Sequence, residues 1–314
     1  MSVQHLIHFA HIINPVALPA GHELMVAQPI TFASMRLAQA EARAEGMTVK
    51  LLTTQFPEDQ GVIPADFTIL PDLTRSVLDT GPFQRPRKLP LIADILDRLE
   101  EHAEAPYLIF TNVDIGLQPH FYRRVAEWLA RGHDALIINR RRLPARYTSP
   151  AELPAIFADP GRPHPGFDCF VFHRRLFPYF RLDEICVGVP FIGVTLAHHL
   201  FAFAENCRLI GDEQLTFHLG QEVMPPRDPE YYWHNRRCFR RIRDEHLWPH
   251  LSAARLPYAE RPWPLRWWKW IRNPSLFIRM NLLLSLRAHW PTLAEWLWQI
   301  RRKKGRPEAV RTDS

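Results

Sequence analysis

A carboxylate at the end of a buried apolar run is placed to hold a divalent cation, and Asp114 occupies such a place in Pro106-Tyr-Leu-Ile-Phe-Thr-Asn-Val-Asp114-Ile-Gly116. Leu108, Ile109 and Phe110 follow one another without alternation, the pattern of a parallel strand covered by helices on both faces. Ligands of open α/β sheets bind outside the carboxyl ends of strands, so Asp114 would stand where a hard cation and an anion can meet. The same carboxylate would also serve as a cap for the helix expected near Pro119. Bases gather at two further points. Arg85, Arg87 and Lys88 precede a helical segment from Leu89, where a helix N-terminus favours anions, and Arg140, Arg141 and Arg142 end an apolar run from Asp134. Such charge runs are also common as solvated faces. Asp168 follows the Pro165-Gly166 turn and enters the apolar Cys169-Phe-Val-Phe172. It either fixes that turn or, when partly buried, acquires the raised pKa of a general base.

The elements that must position these groups alternate in kind. Residues 6–13 read as a strand, 30–44 as a helix, 49–54 and 67–70 as strands, and 89–103 as a helix leading into the Asp114 strand. This βαβ progression implies an α/β fold with a mostly parallel sheet and right-handed crossovers.

At this point the chain resembles the GT-A glycosyltransferases, a Rossmann-like superfamily of nucleotide-diphospho-sugar transferases. Their short DXD-like motif closes the strand after the nucleotide-binding half, and Asn112-Val-Asp114 is a one-acid version of it. His164-Pro-Gly-Phe-Asp-Cys-Phe-Val-Phe172 looks like the acceptor-side G-x-D-x-F element of several bacterial transferases. Leu215-Thr-Phe-His-Leu-Gly220 is similar to a late strand whose histidine returns a ligand to the metal. The similarity covers roughly residues 1–222, leaving 223–314 as a basic, Trp-rich helical extension.

The resemblance implies a metal-dependent glycosyltransferase that moves a sugar from a nucleotide-diphosphate donor to a hydroxyl of a glycan or glycolipid. Mn²⁺ or Mg²⁺ would sit on Asp114, with His218 as a nitrogen ligand that favours manganese. Asn112, Lys88 and Arg140 would contact the donor, and Gly166 and Phe167 the acceptor. Asp168 would be the general base of an inverting enzyme or a positioning group in a retaining one. A nucleotidyltransferase shares the sheet and metal, but its glycine-rich basic loop is missing from Asn14-Pro-Val-Ala-Leu-Pro-Ala-Gly21. A non-catalytic scaffold on a degenerate GT-A fold is the alternative of a different class.

Composition bounds the partners. The 314 residues are 46% hydrophobic and 23% charged, an ordinary globular balance. From Arg261 onward twelve bases face three acids, leaving 27 bases and 30 acids before it. The net charge of +6 therefore belongs to the tail, and no nucleic-acid partner is implied. Cys169, Cys186, Cys207 and Cys238 lack paired zinc-site spacing, and scattered thiols without a secretory leader suggest the cytoplasm. His5, His8 and His11 cannot form one metal triad on a strand, because position 8 faces away from the other two. His198-His199 fall in an apolar helix and read as core.

The tail holds seven of the ten tryptophans and interleaves them with bases in Arg261-Pro-Trp-Pro-Leu-Arg-Trp-Trp-Lys-Trp270, the chemistry of a membrane interface. As a helix, Ser275 to Leu286 spans under about 20 Å, too short for a ~30 Å hydrocarbon core. The tail is expected either to pack on the body or to attach peripherally to an anionic inner leaflet, helped by Arg301-Arg-Lys-Lys304. Residues from Gly305 read as disordered.

Overall fold

The computed structural model describes residues 7–219, 229–288 and 290–305. His5, the expected domain boundary at 222 and the tail beyond Gly305 lie outside the described residues. In chain order the elements are β1 (His8–Ile13), α1 (Glu23–Ala44), β2 (Thr48–Thr53), β3 (Thr68–Ile69), α2 (Ile92–His102), β4 (Tyr107–Thr111), β5 (Ile115–Leu117) and α3 (Phe121–Ala130). There follow β6 (Ala135–Ile138), β7 (Arg140–Leu143), α4 (Leu153–Ala158), β8 (Arg162–Pro163), β9 (Cys169–His173), α5 (Ile192–Phe203), β10 (Cys207–Ile210) and β11 (Thr216–Leu219). The extension adds α6 (Pro229–Ile242), α7 (Trp263–Ile271), α8 (Arg279–Arg287) and α9 (Pro291–Gly305).

The architecture is mixed α/β, with a mostly parallel central sheet flanked by helices. Its strand order is β10-β6-β9-β4-β1-β2-β3, and β9 alone runs against its neighbours. Alternation along β1 explains the two layers. Phe9 and Ile13 join the side packed by Met35 of α1 and Phe121, Val125 and Leu129 of α3. Ala10 and Ile12 join the opposite side with Leu96 of α2 and Leu196 and Leu200 of α5. Trp270, Leu284 and Trp298 belong to that same cluster, so the described part of the extension packs on the body and shares its core.

Three elements differ from the expectation. Helix α1 begins at Glu23 and carries Pro29 inside, with His22 accepting from Leu24 N–H as its cap. The sequence predicts this helix only from residue 30, just after that proline; an interior Pro removes one helical hydrogen bond, yet α1 runs through it. Helix α2 begins at Ile92 rather than Leu89, because Pro90 and Leu91 form bridges to Ser76 and Cys186, and a residue before proline is steered from helical geometry. Arg140 to Arg142 do not end β6 but open β7, in a second sheet ordered β5-β11-β7-β8.

That second sheet has two chemical faces. Phe217 and Leu219 of β11 and Leu143 of β7 cover a small core with Ile30 and Ile156. The alternate residues, His218 on β11 and Arg140 and Arg142 on β7, point the other way by the two-residue period of strands. Gly116 pairs with Phe217 across β5 and β11. A Cβ at position 116 would lie 2.3 Å from the Phe217 ring, so only glycine lets the ring lie flat over the strand.

Candidate functional site

The chain reverses its progress across the main sheet between β1 and β4, and the crevice outside the carboxyl ends at such a switch point is where α/β sheets bind ligands. Each parallel strand near it is followed by a short amide. Asn14 follows β1, Gln55 lies just past β2, Asn112 follows β4 and Asn139 follows β6. Asn14 is spent on structure, donating to Thr54 C=O at 2.7 Å. Gln55 donates to Asp72 at 2.9 Å, but among the described residues its Oε1 has no partner, and neither do Asn112 Oδ1 and Asn139 Oδ1. Gln55 and Asn139 were not singled out in the sequence; an amide recurring at the ends of successive strands was the signal.

Register brings Asp168 among them. Strand β9 pairs Cys169 with Thr111 on one side and with Ile138 on the other, so one step further Asp168 falls between Asn112 and Asn139. Its residue is only 8% exposed. One carboxylate oxygen, Oδ1, is ion-paired with Arg140, and the other, Oδ2, is buried without a hydrogen-bond partner among the described residues. Burial pushes this carboxyl up; Arg140 opposes that, Asp114 reinforces it, and the net direction is upward.

Asp114 and His218 meet across the join of the two sheets. β11 pairs His218 with Ile115, and His218 Nε2 lies 3.2 Å from Asp114 Oδ2. Burial alone would raise the Asp114 carboxyl, but the His218 hydrogen bond and charge, aided by Arg140, hold it below the usual carboxylate value. Asp114 Oδ1 and His218 Nδ1 are buried without a protein partner among the described residues. Asp114 lies in the β4–β5 turn and does not cap α3, whose N-cap is His120.

Asp114, His218, Asp168 and Arg140 thus form one electrostatically coupled group. Leaving a buried polar atom unpaired costs on the order of 1–3 kcal/mol, so a concentration of such atoms at one sheet edge marks a place built for something other than stability. A carboxylate–imidazole pair suits a divalent ion, and a guanidinium beside it suits an anion.

The remaining expected residues have other settings. Lys88 is ion-paired with Glu58 and lies 4.1 Å over the Phe56 ring, just past β2. The helix it was expected to precede, α2, starts four residues later. Gly166 N–H donates to His164 Nδ1 at 2.9 Å, and a Cβ there would stand 2.5 Å from the His164 ring and 3.2 Å from Asp168 Oδ2. Phe167 is 5% exposed within the main core. One residue before Asp168, its ring packs edge-on to Phe201.

No family model matches this chain, and no curated protein matches it. Solved structures overlap it partially. The first 349 residues of S. aureus TarS in complex with UDP-GlcNAc share 12% identity over 93% of this chain and 79% of that one, at a TM-score of 0.46. Glucosyl-3-phosphoglycerate synthase from Mycobacterium tuberculosis, in complex with Mn²⁺, UDP and glucosyl-3-phosphoglycerate, shares 12% identity over 76% of this chain and 80% of that one, at a TM-score of 0.41.

Proposed function

We propose that the protein is a GT-A type glycosyltransferase that moves a sugar from a nucleotide-diphosphate donor to a hydroxyl acceptor, with a divalent cation on Asp114 and His218. The observation that supports it is the Asp114–His218 pair standing beside Asp168–Arg140 at a strand edge rich in unpartnered buried polar atoms. The donor set fits the ion. With bonds of about 2.1 Å, neighbouring ligands of an octahedral cation stand roughly 3 Å apart, close to the 3.2 Å between Asp114 and His218. One nitrogen in the set favours Mn²⁺ over Mg²⁺. When bound, such an ion neutralises charge on a departing diphosphate.

The chain's own groups supply the rest. Arg140 offers a guanidinium to the same anion. Asp168 accepts the acceptor hydroxyl's proton at Oδ2, the oxygen that Arg140 leaves open, and its burial keeps that oxygen basic. Asn112, Asn139 and Gln55 offer neutral amides to ribose and base, and Lys88 lies on the same sheet edge for the donor. Gly166 keeps backbone close to Asp168 and leaves the acceptor room.

A panel of nucleoside diphosphates with and without Mn²⁺ tests this by thermal unfolding, since ligands of the native state raise its apparent stability. A Tm rise with one nucleotide that requires Mn²⁺ is expected. No rise with any nucleotide, in folded protein, would leave the non-catalytic scaffold in its place.

We also propose that the acceptor is met at an anionic membrane surface on the cytoplasmic side, on which α7 and the start of α9 lie. Trp263, Leu265, Trp268 and Ile271, together with Trp290, Leu293 and Trp296, are all exposed. No acid occurs from Arg261 to Ala294, while Lys269 and Arg272 are exposed among these tryptophans. Trp with interspersed bases suits the headgroup layer, at about 1 kcal/mol per base near the surface. No helix among the described residues is long and apolar enough to cross a membrane. Co-sedimentation with vesicles containing anionic lipid, absent with neutral vesicles and lost in Trp263→Ala/Trp268→Ala, is expected; equal sedimentation of that variant would contradict it.

A further inference from the structure

Away from the sheet edge, a second group of potential ligands closes the loop before α5 against α6. Glu184 stands in that loop, and His234 and Cys238 lie one turn apart on one face of α6. Their ligand atoms all lie within 4.8 Å of one another. His234 is 7% and Cys238 6% exposed. We propose that these three residues bind Zn²⁺, fixing residues 183–191 to α6.

The spacing fits this ion. On a tetrahedral zinc, sulfur at about 2.3 Å and nitrogen at about 2.05 Å are separated by roughly 3.6 Å. Cys238 Sγ and His234 Nε2 are 3.8 Å apart. Thiolate, imidazole and carboxylate together select zinc over the hard cations that suit Asp114. Three protein ligands leave one position for water, and binding releases the thiol proton.

The scaffold is already set. Asn235, between the two α6 ligands, accepts from Cys186 N–H at 2.9 Å and donates to the carbonyls of Cys186 and Pro190 at 2.9 and 3.0 Å. Asp183, adjacent to Glu184, has φ +46° and is held by Arg181 and Arg241. His234 Nε2 itself donates to the Glu184 carbonyl at 2.8 Å. Zinc coordination at Nε2 takes the place of that single hydrogen bond. The loop ends at Phe191, with φ +87°, and α5 then presses Gly193 so close to the Phe167 carbonyl that a Cβ would stand 2.4 Å from it. Anchoring this loop therefore steadies the residue next to Asp168.

The test is the metal content of protein purified without chelator, followed by Co²⁺ substitution, because a thiolate-to-Co²⁺ band reports only a cysteine ligand. About one Zn²⁺ per chain and a Co²⁺ band are expected in the unaltered protein and in Asp114→Asn, with both lost in Cys238→Ser. Unaltered protein that takes up no zinc and gives no band would overturn the proposal without reference to any variant. A band that survives Cys238→Ser, or zinc lost only in Asp114→Asn, would overturn it equally. Nucleotide binding in zinc-free protein would leave the transfer proposal standing.

Discussion

His11 and His218 are both strand histidines sheltered from solvent, yet their surroundings differ in kind. The His11 ring is saturated: Nδ1 meets Tyr122 OH and Nε2 meets Thr111 Oγ1, each at 2.9 Å. His218 has Asp114 at one nitrogen and, among the described residues, no partner at the other. Among the described residues the fold completes the first and leaves the second open, a difference in polar satisfaction that burial alone does not reveal. His198 and His199 follow His11. His198 is bonded to Val194 C=O and Asn281, and His199 to Thr195 C=O and Arg181 N–H.

Changing each side of this contrast should have opposite consequences. Asp114→Asn is expected to lower transfer roughly 10²- to 10³-fold while leaving the melting temperature unchanged; retained turnover would remove the metal role. Acid should attack the saturated histidines instead. Burial lowers the His11 pKa from 6.5 to about 3 and that of His199 to about 4. The unfolded chain therefore takes up protons first as pH drops below 6.5, so the stability is fully present above 6.5 and is lost on acidification toward 4 and, for His11, 3. Urea titrations should show a loss of about 4 kcal/mol from pH 7 to pH 5 for the two together. A flat profile would mean that water reaches these rings.

His11→Ala should destabilise by about 2–4 kcal/mol, through a cavity and two buried hydroxyls left unpaired, without altering nucleotide affinity. The smallest effect concerns the support of His218. Gly116→Ala should cost about 1–3 kcal/mol as the Phe217 ring is displaced, with weaker Mn²⁺ binding because β5 and β11 carry the Asp114–His218 pair.

How much of this was legible in the chain follows from the range of each interaction. The Leu108 to Phe110 run and the alternation of elements are local signals, and they gave the parallel strand and the α/β class. The Asp168–Arg140 ion pair was not legible, because it depends on β9 being inserted antiparallel between β4 and β6 and on Arg140 leaving for a second sheet. The burial of Phe167 was not legible, because it depends on packing against Phe201 of α5. Lys88 looked like a helix-end base because Pro90 hid the bridges that delay α2. The nearness of Glu184 to His234 and Cys238 was not legible, because Glu184 lies some fifty residues earlier in the sequence.

The most direct measurement is calorimetric titration of Mn²⁺ into protein carrying the nucleoside diphosphate that stabilises it, compared between unaltered protein and Asp114→Asn. The account predicts one Mn²⁺ in the unaltered protein and an affinity at least about tenfold weaker in the variant. Equal affinity in both would place the cation elsewhere and contradict the assignment of Asp114 and His218.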